Sequence, residues 1–110
     1  VDYRIEYYSV AVEQEILALP DTLAARYIVL TRRMTAVGAS LGPPHTDSLG
    51  GGLFELRLKS ADGIARVFFC TLIGRRIVML HSFIKKSQKT PLRELDVARR
   101  RMKEIKDANS

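Results

Sequence analysis

The chain has 110 residues, 46% hydrophobic and 27% charged, with a net charge of +6, the make-up of one folded domain rather than of a disordered segment. A lone cysteine, Cys70, excludes a disulfide framework, as expected of a cytoplasmic protein. The opening stretch carries Asp2, Arg4 and Glu6, so neither a signal peptide nor a membrane span is expected there.

Tyr3 to Tyr8 alternates and is rich in aromatic residues, which predicts a strand. Val12, Ile16 and Leu19 follow with helical spacing until Pro20 stops the run. Asp21 is placed to cap a second helix, whose apolar positions Leu23, Tyr27, Leu30, Met34 and Val37 predict the other arm of a helical hairpin. Gly38 ends it, and the stretch to Gly52, with Pro43, Pro44 and three consecutive glycines, reads as a loop. No Walker lysine follows those glycines, so they make no phosphate cradle.

Leu53 to Lys59, Ile64 to Ile73 and Arg76 to Lys85 then predict a three-stranded antiparallel meander. Ser60 to Gly63 is expected as its first loop, and Gly74 with Arg75 as a two-residue type II′ turn. Thr90 is placed to cap a last helix with Pro91 in its first position, and Leu95, Ala98, Met102 and Ile105 form its apolar stripe. The whole is expected to be a small α+β fold over residues 1–110: an N-terminal strand and helical hairpin, a meander and a C-terminal helix.

Charge is unevenly placed. Lys85 to Lys106 contains nine basic residues against Glu94, Asp96 and Glu104, so the entire net charge of +6 lies there. Such a field attracts a polyanion, although a solvated helix face has the same composition.

The expected loops also set a register. Lys59 would pair with Ile64, Arg57 with Arg66 and Glu55 with Phe68; across the next turn, Ile73 with Arg76, Arg66 with Phe83, Phe68 with His81 and Ile64 with Lys85. One face then collects Glu55, Arg57, Lys59, Arg66, His81 and Lys85 around Phe68 and Phe83. Phe54, Leu56, Leu58, Val67, Phe69, Val78, Leu80 and Ile84 fall on the other, the core face. Two facing arginines repel by about 0.2 to 1 kcal/mol, so an anion is expected between them; Glu55 can supply it, as can a bound phosphate. RNA cleavage needs a base for the ribose 2′-hydroxyl, cations at the phosphate and an acid for the leaving oxygen. Arg57 and Arg66 suit the phosphate, Glu55 or His81 the base, and Lys85, Lys86 or His81 the acid, with Phe68 or Phe83 to stack a nucleobase. His45, in the loop, reads as a surface residue, and two histidines and one cysteine make no metal cluster. No cofactor is expected.

The segments LFELRLK, IARVFF and above all LHSFIKKSQKTP, with EYYS at the start, the linker PPHTDSLGGGLFELR and the ending ELDVARRRMKEIK, resemble the phage-derived, HigB-like branch of the RelE/ParE toxin superfamily. The resemblance spans nearly the whole chain. It implies a compact α+β toxin of a type II toxin–antitoxin system that cuts messenger RNA on the ribosome without a metal. It also implies a cognate helix-turn-helix antitoxin that covers the basic site. By position, Arg57 and Arg66 match basic residues of the second and third strands, and Lys86 a basic residue after the last strand. Glu55 departs from the lysine of RelE, and no tyrosine follows the final strand. Lys59, Lys85, Lys89, Arg99 and Arg100 are expected along the RNA. The same fold carries ParE-like gyrase inhibitors, and a non-catalytic basic RNA-binding domain is a third reading.

Overall fold

The computed structural model describes residues 2–110. Strand β1 (Arg4–Tyr7) leads into helix α1 (Val10–Leu17), whose first turn is capped by Ser9: its hydroxyl accepts the Val12 N–H at 3.2 Å. Helix α2 (Asp21–Val37) follows Pro20. Asp21 is its first helical residue and not its cap. The carboxylate of Asp62, in a distant turn, accepts both the Thr22 N–H (3.2 Å) and the Thr22 hydroxyl (2.6 Å). One of the orphan donors of the first turn is thus satisfied from another part of the chain.

The stretch read as a loop after Gly38 contains a strand, β2 (Thr46–Gly50). Its sequence, TDSLG, has no apolar alternation because β2 is a sheet edge held by backbone pairing with β3 (Leu53–Ser60) and by Thr46. The buried Thr46 hydroxyl accepts the N–H groups of Leu41 and Gly42. Strands β4 (Gly63–Leu72) and β5 (Arg76–Ile84) complete a five-stranded sheet in the order β1-β5-β4-β3-β2, antiparallel except where β1 runs parallel to β5.

Between β3 and β4 the register is the predicted one, with Lys59 opposite Ile64, Arg57 opposite Arg66 and Glu55 opposite Phe68. Ser60 also pairs with Gly63, tightening the turn to Ala61 and Asp62. Between β4 and β5 two departures offset each other. The turn spans Ile73, Gly74 and Arg75, so that Leu72 and not Ile73 faces Arg76. Then a β-bulge intervenes: Met79 pairs with Phe69 and His81 with Phe68, leaving Leu80 extra. Beyond the bulge the predicted pairs hold, Phe68 with His81 and Arg66 with Phe83. Before it the faces are inverted. Val78 and Leu80, expected beside Val67 and Phe69, lie with Leu53, Phe68 and Cys70, while Ile77 and Met79 take the positions expected of them.

The sheet consequently has two cores. Helices α1 and α2 bury Val12, Ile16, Leu23, Tyr27, Leu30 and Met34 against Leu56, Leu58, Val67, Phe69, Ile77 and Met79. Helix α3 (Leu92–Ala108) crosses the opposite face, with Ala98 and Met102 buried on Phe68, Cys70, Val78 and Leu80 and with Leu95 and Ile105 beside them. Thr90 does not cap α3; Pro91 holds the N-cap position in an extended conformation and the helix begins at Leu92. The face expected to be a charged surface is therefore half covered. Each fully buried Leu, Phe or Met contributes about 1.5–3 kcal/mol, which anchors α3 despite its charge. Among the described residues no helix is long and apolar enough to cross a membrane.

Candidate functional site

Helix α3 packs on Phe68, and its Glu94 meets His81, in the ladder row that also holds Glu55; the next row is Arg57, Arg66 and Phe83. In that row the two guanidiniums face each other across β3 and β4, as the register count requires. Glu55, only 5% exposed, holds them together: its carboxylate accepts Arg57 Nε–H at 2.9 Å and lies 3.4 Å from Arg66 Nε. Arg57 also donates to Asp47 at 2.9 Å, a partner on the strand that the sequence did not reveal. Glu55 is thus committed to positioning the arginines, which argues against its expected use as a base.

The second contact is ionic but poorly aligned, and Arg66 Nε has no hydrogen-bond partner among the described residues. The Arg66 side chain is 13% exposed. Burial pulls its guanidinium below the usual arginine value, Glu55 pushes back, and Arg57 adds to the depression. A buried N–H donor left without a well-aligned partner costs about 1–3 kcal/mol, which the nearby Glu55 charge offsets in part.

Arg57 and Arg66 open onto a cleft of about 570 Å³ whose other walls are Arg26 of α2, Pro44, His45, Lys59 and Ile64. Two of these were not legible in the sequence. Arg26 lies on a helix assigned wholly to the hairpin, and His45 reads as a surface loop residue. The backbone delivers His45: its carbonyl accepts the Arg57 N–H at 2.8 Å, continuing the β2–β3 pairing into the loop. Three arginines, a lysine and a histidine therefore line one concavity. The acidic partners at its edge are Glu55 and Asp47.

Other expected site residues fall elsewhere. The His81 imidazole is 14% exposed, with Nε2 3.0 Å from Glu94 Oε1 of α3 and Nδ1 buried without a hydrogen-bond partner among the described residues; it does not line the arginine cleft. Phe68 is fully buried beneath α3 and has no surface on which to stack a base. Phe83 is half-buried, its ring centroid 5.5 Å from that of Phe68. Lys85 and Lys86 border a depression that adjoins the cleft at Ile64, and Lys89 is exposed in the following loop. Arg99 is anchored, donating to the Leu49 and Gly50 carbonyls, whereas Arg100 is exposed on α3.

A family model described as Phage derived protein Gp49-like matches residues 14–103, from α1 to the last turns of α3 and through every residue of the cleft. No curated protein matches the chain.

Proposed function

The chain belongs to the phage-derived Gp49-like family, a family associated with RelE-like toxins, and from this premise we propose that it is the toxin of a type II toxin–antitoxin pair, a ribosome-dependent endoribonuclease that cuts messenger RNA in the cytoplasm. The observation that carries the reading is the Arg57–Arg66 pair, facing each other across β3 and β4 in a cleft also lined by Arg26, Lys59 and His45. Guanidinium pairs match the non-bridging oxygens of a phosphodiester and stabilise the charge that develops as it turns pentacoordinate. The ribose 2′-oxygen attacks phosphorus and the bond to the 5′-oxygen breaks. One proton leaves the 2′-hydroxyl and another reaches the 5′-oxygen. His45 is the imidazole in the cleft and takes the first; Lys59 is its ammonium and supplies the second.

A cognate helix-turn-helix antitoxin with an acidic segment would inhibit by occupying the same cations. Primer extension on a translated reporter, after induction of wild-type, Arg57→Ala or Arg66→Ala protein, tests the reading. Cleavage by the wild type, reduced about 10²- to 10³-fold in each variant, is expected, as for loss of one preorganised donor. Intact transcripts under wild-type induction reject it.

A further inference from the structure

On the other side of Arg66 from Arg57 lies a second depression, of about 370 Å³, lined by Phe83, Lys86, Arg93 and Glu94 among others. We propose that it is a nucleobase site in which Phe83 stacks the base and Glu94 selects guanine. The proposal rests on the ribonuclease reading only for the polymer that carries the base.

Spacing comes first. Phe83 is the cross-strand partner of Arg66, so the two side chains leave the sheet as neighbours on one face, as a phosphate and a base neighbour each other along a strand of RNA. A phosphate held by Arg66 sets its own base, or the adjoining one, over Phe83. The ring is held by Phe68, tilted 42° to it with centroids 5.5 Å apart, and by His81, nearly parallel at 21° with its centroid 6.3 Å away. A half-buried aromatic ring so held offers a stacking surface that any base can use.

Glu94 supplies the discrimination. Its side chain is 16% exposed and borders the depression, and its carboxylate is oriented by His81 Nε2 on Oε1. An ionised carboxylate only accepts hydrogen bonds, on two oxygens with spare lone pairs. Guanine presents two adjacent donors, N1–H and the 2-amino group, and its O6 can turn to the cation Lys86 or Arg93. Adenine and cytosine offer a single amino group. Uracil offers one N–H between two carbonyls that the carboxylate repels.

Titration calorimetry of the intact protein with the 3′,5′-bisphosphates of guanosine, adenosine, cytidine and uridine tests this without ribosome or cleavage. The guanosine compound should bind about tenfold more tightly than the uridine compound, the value of one good bidentate contact. Glu94→Gln should bring all four within about twofold of one another by removing that contact, a change that a merely structural His81–Glu94 tie would not produce. Phe83→Leu should weaken all four alike. Equal affinities in the wild type, or a guanine preference retained by Glu94→Gln, overturn the proposal. If Glu94→Gln does not fold, unaltered binding by Phe83→Leu overturns it. Guanine-selective binding by a protein that leaves transcripts intact would uphold the base site and sink the ribonuclease reading; cleavage without such selectivity would do the reverse.

Discussion

Arg101 of α3 donates from Nη1 to the carbonyl oxygen of Leu80 at 2.9 Å, and Leu80 is the residue that the β4–β5 ladder leaves over. The guanidinium also lies over the Tyr8 ring, 4.9 Å from its centroid. An arginine in a run of three is therefore a clasp that ties the last helix to the bulge, and the bulge is what restores the register on which the arginine pair depends.

Truncating that clasp leaves the Leu80 carbonyl beneath α3 without its donor. Arg101→Ala should destabilise the protein by about 1–3 kcal/mol, whereas Arg100→Ala, on the solvent side of the same turn, should change stability by no more than about 0.5 kcal/mol. Urea unfolding of both variants, followed by circular dichroism, makes the comparison. Equal midpoints would mean that the carbonyl is satisfied by water.

The Asp62–Thr22 cap gives a pH-dependent contribution. Hydrogen bonds from the Thr22 hydroxyl and N–H hold the Asp62 carboxyl below its ordinary value. A carboxyl lowered by folding stabilises the folded state at pH values above its unfolded pKa, and that stabilisation is lost as pH falls through the folded value. Asp62→Asn should accordingly lower the melting temperature at pH 7, and the gap to wild type should close progressively as pH drops below the ordinary carboxylate range. A gap independent of pH would assign the effect to packing.

Arg100, exposed and without the anchoring contacts of Arg99 and Arg101, is the cation of the RRR run free to meet a polyanion. Arg100→Glu should weaken binding to single-stranded RNA and reduce the slope of log affinity against log salt by about one or more phosphate contacts. Fluorescence anisotropy between low and physiological salt reads both. An unchanged slope would leave Arg100 as a solvated helix residue.

The two histidines should separate cleanly. His45→Gln should reduce reporter cleavage by about 10²- to 10⁴-fold, the usual yield of a positioned acid–base group, with little change in melting temperature. His81→Gln should lower the melting temperature, since it disturbs the tie between β5 and α3 at Glu94, and should reduce cleavage by no more than about tenfold, the value of the Glu94 contact it orients. Cleavage assays paired with thermal melts of both variants test the assignment; loss of cleavage in a well-folded His81→Gln protein would reverse it.

What the sequence determined by itself was periodic or local. The apolar spacing of α2, the stripe on α3 and the short loop between Lys59 and Ile64 set the helices and the facing of Arg57 and Arg66, because side-chain period and loop length are properties of neighbouring residues. What only the tertiary structure decided depends on residues far apart in the chain. The three-residue turn at Gly74 and the bulge at Leu80 each shift the register by one and offset each other, so pairs counted from the turn were correct at the site and inverted at Val78 and Leu80. Strand β2 is a strand because β3 offers it an edge, and with it Asp47 and His45 reach the arginines. Burial of Phe68 and the turning of His81 toward Glu94 follow from α3 settling on that face, an event driven by apolar area that no local pattern in β4 or β5 announces.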